Sequence, residues 1–232
     1  MAPTTRLSGD ERRTAIVEAV LPLFAKKGFH GVTTRELAEA AGVSEALLFR
    51  HFPSKEFLYK EVRDQGGNVH ESASLFNRLR DIPPSTEKLV LLTRLLLRRI
   101  MTRGDATFPR LLLNSLLEDG HLARTSLKSY MSRWLGPFTQ ALDAAREAGD
   151  LEDIGGHDGL GLWFSHHLAM ALVFMGLPGK SAVDYGTAHE ALVEQAARFC
   201  LRGLGLKEEA IRNCGDPAKA AAVEYEASSS DW

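Results

Sequence analysis

Residues 32–59 read VTTRELAEAAGVSEALLFRHFPSKEFLY, and this stretch decides the fold. Thr33 followed three residues later by Glu36 is the pattern of a capping box, so a helix opens at Thr33 or Thr34. Leu37 with Ala40 or Ala41 gives that helix a buried side. Gly42 ends it, because a tight helix-to-helix turn needs a residue that tolerates left-handed backbone. Ser44 is an N-cap for the next helix, which Leu47, Leu48 and Phe52 anchor inward. Pro53-Ser54 then breaks the chain and restarts it, with Ser54 capping a helix from Lys55 onward. Two short helices around a glycine turn, followed at once by a third, are the layout of a helix-turn-helix headpiece.

Such a headpiece reads DNA with one face of its second helix, which must carry polar or small side chains. Glu45 and Ala46 at the start, then Phe49, Arg50 and His51, meet that requirement. Lys55 stands at the next helix start, where a cation and exposed backbone N–H groups could both meet a phosphate. Plainer roles compete at several positions. Arg35 and Arg50 could be solvated surface residues, and Phe49 could be partly core. Glu45 also suits a helix N-terminus by its charge. Ser44 serves as a cap whether or not it touches a base.

Outward from this stretch, helix follows helix. Ile16, Ala19, Val20, Leu23 and Phe24 recur at helical spacing and predict a first helix from about Asp10 to Lys27, with Pro22 inside it and Gly28 as its stop. Past residue 63, Gly66-Gly67 interrupts a fourth helix that could resume through Asn77–Leu79. Pro83-Pro84-Ser85 forms a linker. Helices are expected near Thr86–Arg103, Phe108–Glu118, Leu122–Ala148, His157–Met175 and Asp184–Leu204. The expected fold class is all-α, about nine helices in total: a three-helix head over residues 1–60, a helical body over 61–206, and a mobile or weakly helical tail over 207–232.

The motifs of the head resemble a known family. Phe24–Phe29 carries F-x-x-x-G-F, Thr33–Ala38 reads TTRELA, Ala41–Ser44 reads AGVS, and Leu48–Glu56 reads LFRHFPSKE. Together these resemble the N-terminal domain of TetR-family transcriptional repressors over residues 10–60. The resemblance implies DNA contact from Thr34 and Arg35, then from Ser44, Glu45, Ala46, Phe49, Arg50 and His51, with Lys55 on a phosphate. Two departures bear on the operator sequence. Relatives usually carry Tyr where this chain has Phe49, and a small or hydroxylated residue where it has Leu47, so base contact there becomes apolar, as to a thymine methyl.

Composition is that of an ordinary globular protein, with 44% hydrophobic and 25% charged residues. Nine Lys/Arg against seven Asp/Glu give residues 1–60 a net +2, while nineteen against twenty-three give the rest −4. A mildly basic head on an acidic body suits a protein that touches phosphate with its head alone. Cys200 and Cys214 make neither a disulfide framework nor a metal cluster, which fits a reducing cytoplasm. The N-terminal residues lack the apolar core of a signal peptide. Gly159–Gly179 is 21 residues long without a formal charge, yet adjacent His166 and His167, Ser165 and the flanking glycines favour a buried helix over a membrane span.

The same run bears on the body. Leu160, Trp163, Phe164, His167, Leu168, Ala171, Leu172 and Met175 form one stripe, and the opposite face is also apolar, so the helix needs cover on several sides. Ala188, Ala191, Leu192, Gln195, Ala196 and Phe199 give the last helix a small-residue face. The resemblance implies that these two long helices pair with their twofold mates, making a homodimer whose recognition helices lie one DNA turn apart. It also implies a small hydrophobic or aromatic effector. Candidate lining residues are Phe76, Met101, Phe108, Asn114, Tyr130, Trp134, Phe138, Trp163 and His167, with His121 and His166 as further orienting groups. Each is equally explained as core. No cofactor or metal is expected, since consecutive histidines point about 100° apart on a helix and seldom share one ion. No P-loop, nucleophile elbow or glycine-rich cofactor loop is present, which argues against an enzyme. The competing reading is a DNA-binding protein whose body only dimerises or docks a protein partner.

Overall fold

The computed structural model of the chain describes residues 8–66, 73–102, 106–152, 158–178, 180–214 and 222. Among them are eleven helices and no strand: α1 (Gly9–Lys27), α2 (Thr34–Ala40), α3 (Glu45–His51), α4 (Lys55–Gly66), α5 (Ala73–Asp81), α6 (Thr86–Met101), α7 (Thr107–Leu117), α8 (His121–Glu147), α9 (Asp158–Met175), α10 (His189–Gly203) and α11 (Glu208–Asn213). An all-α architecture is thus observed. Two helices exceed the expected nine. The break expected at Gly66 is where α4 ends, and the helix expected through Asn77–Leu79 is counted here as α5. A short α11 follows Lys207, where Ala210 and Ile211 are buried. The last long helix begins at His189 rather than Asp184. Its expected first turn is replaced by a bend in which the Asp184 carboxylate accepts the Gly186 N–H at 2.9 Å and Gly186 takes φ +62°.

Hydroxyl caps set the helix starts. Ser8 and Thr33 each build a reciprocal capping box, with Glu11 and Glu36. Ser44 accepts the Leu47 N–H, Ser54 that of Phe57 and Ser85 that of Lys88, each at 3.2 Å. Such caps contribute about 1 kcal/mol apiece. The first box, at Ser8, starts α1 at Gly9, one residue before the predicted start.

The chain divides into two compact units: residues 1–69 with 105–127, and residues 70–104 with 128–232. The expected boundary at residue 60 falls within α4. In the first unit, α1 packs on α2, α4 and α7. Its core joins Ile16, Val20, Phe24, Leu37, Leu48, Phe52, Leu58 and Val62 with Leu111 and Leu122. Phe24 and Phe52 are fully buried, each worth about 2–3 kcal/mol of apolar transfer. On α2 the buried pair is Leu37 and Ala38, while Ala40 is exposed.

In the second unit, α6 packs on α9 and α10, and α10 on α9 and α11. Buried Arg94 on α6 meets Glu194 of α10 with two hydrogen bonds, of 3.0 and 2.7 Å, and Arg198 shares the same carboxylate. The apolar run on α9 sorts into two faces. Leu162, Ser165, His166, Ala169 and Met170 are buried, whereas Leu160, Phe164, His167, Ala171 and Met175 are exposed. Among the described residues, no helix is long and apolar enough to cross a membrane.

Candidate nucleic-acid interface

Gly42 makes the turn between α2 and α3 with φ +63°, left-handed backbone that an L side chain adopts at a cost of about 1 kcal/mol. Immediately before it, the Val43 N–H bonds the Ala38 carbonyl at 3.0 Å and the Gly42 N–H the Glu39 carbonyl at 3.1 Å, closing the end of α2. Leu48 then buries one side of α3 and Phe52 seals its end. The opposite side presents Glu45, Ala46, Phe49 and Arg50, all exposed, at spacings of one and four residues. Phe49 keeps 40% of its surface in solvent, a large exposure for an aromatic ring.

The flanking residues are already engaged with one another. Thr34 donates its hydroxyl to the Glu45 carboxylate at 2.9 Å, joining the start of α2 to the start of α3. Arg35 pairs with Glu39 at 2.9 Å on a surface where both remain mostly exposed. Ser44, itself exposed, spends its hydroxyl on the α3 cap. His51 is half-buried, and its carbonyl accepts a bond of 2.9 Å from Arg13. The Lys55 ammonium donates to the Val32 carbonyl and sits 4.6 Å from the centre of the Phe29 ring. An ammonium has three donors, so this fixes the head group and still leaves donors for a phosphate. The nine expected contact residues therefore lie on α2, on α3 with its N-cap Ser44, and at the first residue of α4.

Three supporting groups involve partners that the sequence pattern does not disclose. Arg13 of α1 lies over the Phe52 ring at 4.6 Å and the Phe57 ring at 5.3 Å, and pairs with Glu61 at 3.0 Å. It thereby ties the α3–α4 turn to α1. Glu36 is bonded by Lys27 and by Thr33, and these bonds, led by that from Lys27, hold its carboxyl down to about 2. At the far end of α4, Tyr59 donates to Glu118 at 3.2 Å and Arg63 grips Asp119 with contacts of 3.0 and 2.9 Å. Burial, then the Glu118 charge, push the Tyr59 phenol up to about 12. These partners are 56 and 59 residues apart in sequence, so no local reading finds them.

The expected effector residues fall into both units. Phe108 and Asn114 belong to α7 in the first, where the Asn114 amide donates to the Ala25 carbonyl at 3.3 Å. His121 is there too, 3.8 Å from Asp64. In the second unit a chain of rings forms: Phe76 meets Trp134 at 5.3 Å, Tyr130 lies between Trp134 at 6.1 Å and His166 at 5.8 Å, and Trp163 lies 6.2 Å from His166 and 5.6 Å from His167. Phe138 is fully buried and Met101 nearly so. Among the described residues, no group of three or more His, Cys, Asp or Glu could hold a metal ion.

Residues 16–62 match the family model of bacterial regulatory proteins, tetR family. The head is a TetR-family DNA-binding domain. The HTH-type transcriptional regulator RutR of Escherichia coli (strain K12) is 46% identical over 54 residues, which are 23% of this chain and 26% of RutR. The chain thus matches about a quarter of that relative's length. Among solved structures, AibR in complex with isovaleryl coenzyme A and operator DNA is similar with TM-score 0.59 and 20% identity, over 82% of this chain and 97% of AibR. A TetR-family regulatory protein from Rhodococcus RHA1 is similar with TM-score 0.57 and 19% identity, over 85% and 99%. At these identities the likeness is one of fold, and it extends over the helical body as well as the head. The chain joins this head to a helical body.

Proposed function

We propose that this protein is a cytoplasmic transcriptional repressor that binds a palindromic operator as a homodimer and leaves it when a small molecule occupies its helical body. The exposed face of Glu45, Ala46, Phe49 and Arg50, fixed by the Gly42 turn, carries the reading. Arg50 offers a charged fork to phosphate or guanine, and Phe49 an apolar ring to a thymine methyl. Glu45 accepts only, so it suits a cytosine amino group and repels phosphate; its bond from Thr34 holds it clear of the backbone.

Dimerisation is supported by what α9 and α10 leave in solvent. Phe164 on α9 is 65% exposed and Phe199 on α10 67%, and Leu160, Met175 and Ala191 are exposed on the same two helices. Two large rings on adjacent helices form the kind of patch that a symmetric partner covers. The AibR structure, which holds both isovaleryl coenzyme A and operator DNA, supports a body that takes a small molecule. A ligand favouring one spacing of the two heads shifts the population away from the DNA-competent state. Helix α8 belongs to both units: Asp119, just before its start, is held by Arg63 of α4, and its later turns carry Tyr130 and Trp134. It is the natural route for that coupling.

The test is a footprint of the purified protein on DNA flanking its own gene. A protected palindrome with half-sites about one helical turn apart is expected. Absence of sequence-specific protection there, together with failure to select any site from genomic fragments at low salt, would overturn the proposal.

A further inference from the structure

Two polar atoms in the ring cluster of the second unit are buried without a hydrogen-bond partner: Nε1 of Trp134 and Nδ1 of His166. Trp134 is 1% exposed and His166 4%. An orphaned buried donor is unfavourable, and native structures retain few of them, so each calls for a group that satisfies it. The indole N–H can only donate. Both rings flank Tyr130, with Phe76 edge-on to Trp134 and Trp163 against His166, so the orphaned atoms sit amid aromatic walls.

From this geometry we infer that the cluster of Phe76, Tyr130, Trp134, Trp163 and His166 binds an uncharged aromatic compound bearing a carboxamide-like group, whose carbonyl accepts the Trp134 N–H and whose polar neighbour meets His166 Nδ1. This deepens the proposed effector site and rests on that reading. The charge of the ligand follows from its surroundings. The Arg133 guanidinium lies 6.0 Å from the Phe76 ring, a distant and exposed cation. Burial, then the neighbouring His167, hold the His166 imidazole down to about 4, so the ring is neutral at neutral pH and supplies no charge to an anion. A carboxylate placed there would be desolvated without a partner.

The experiment uses benzamide as probe, with toluene and benzoate as shape-matched controls, on the full chain without DNA. Benzamide is expected to bind saturably at one site per chain and to move the Trp134 indole N–H resonance; toluene and benzoate bind more weakly. Trp134→Phe removes the N–H and trims the indole to a single ring, so it should weaken benzamide about three- to tenfold relative to toluene, which reports the change in shape alone. The unliganded variant should melt below the parent, since the smaller ring leaves a cavity at a fully buried position. Benzamide that does not bind, or binds no better than toluene, overturns the inference, as does a Trp134→Phe variant that binds both probes like the parent. An operator-binding assay separates the two readings. Benzamide that binds but leaves operator affinity unchanged sinks effector release and spares this site; operator release by other compounds, with no benzamide binding, does the reverse.

Discussion

On α3 the residues left in solvent are Glu45, Ala46, Phe49 and Arg50, whereas on α9 and α10 they include Leu160, Phe164, Met175 and Phe199. The first set is short or charged around a single ring, on a seven-residue helix. The second is large and apolar, on helices of 18 and 15 residues. A groove lined with hydrated phosphates accepts the first kind of surface, because charges there replace released counterions. Only a dry partner accepts the second, because nothing in water repays the exposure of two phenylalanines. Under the proposed function the two units face different media, one wet and anionic, the other apolar.

The sharpest way to break this contrast is to make the second surface resemble the first. Phe164→Glu with Phe199→Glu should convert the dimer to monomer in sedimentation velocity and lower the thermal midpoint toward a value independent of protein concentration, because association no longer stabilises the fold. Operator affinity should fall by about 10²–10⁴, since two linked half-sites become independent. A double variant that still sediments as a dimer would show that α9 and α10 do not form the interface.

Acid should distinguish the units next. In the second unit, His166 is held at about 4, below its ordinary 6.5, chiefly by burial. Between those values the unfolded chain takes a proton that the folded chain refuses, so stability falls as pH drops from 6.5 toward 4, by up to about 3 kcal/mol. In the first unit, Glu36 is held at about 2 by Lys27 and Thr33. That carboxylate stabilises the fold above pH 4.5 and loses its effect only as pH falls toward 2. The second unit should therefore loosen first on mild acidification. Fluorescence of Trp134 and Trp163, followed in denaturant at pH 7, 5.5 and 4.5, checks this. His166→Leu should flatten the decline. An unchanged decline in that variant would assign the sensitivity to other groups.

How much of each unit the sequence discloses follows from the distance over which its signals act. Thr33 with Glu36, Gly42, and Ser44 with Leu47 act within three or four residues, so α2, the turn and α3 are readable from the chain alone. Arg13 is not, because its role depends on Phe52, Phe57 and Glu61, some forty residues further on. The body extends this difficulty. Its ring cluster draws on Phe76, Tyr130 and His166 from three helices. Helical spacing identified two faces on α9 but could not say which turns inward, since both are apolar. The buried one proved to be that holding Ser165 and His166. Nor does spacing separate Phe108 and Asn114 from the other candidate lining residues; only the tertiary fold assigns them to the first unit.

The smallest expected effect tests whether Lys55 belongs to the wet surface or to the interior. Its ammonium already serves the Val32 carbonyl and the Phe29 ring, so Lys55→Ala should cost about 1 kcal/mol of stability whatever DNA does. A phosphate contact adds something that this structural role cannot supply. Each neutralised phosphate releases about one counterion, so losing the contact should reduce the slope of log affinity against log salt by about one unit, equally on operator and random DNA. Arg50→Ala provides the comparison, since Arg50 stands in solvent on the reading face. If Arg50 contacts a base, its loss should weaken the operator more than random DNA. A Lys55→Ala variant with lowered stability and an unchanged salt slope would place that lysine with the scaffold, leaving Arg50 to carry the charge on α3.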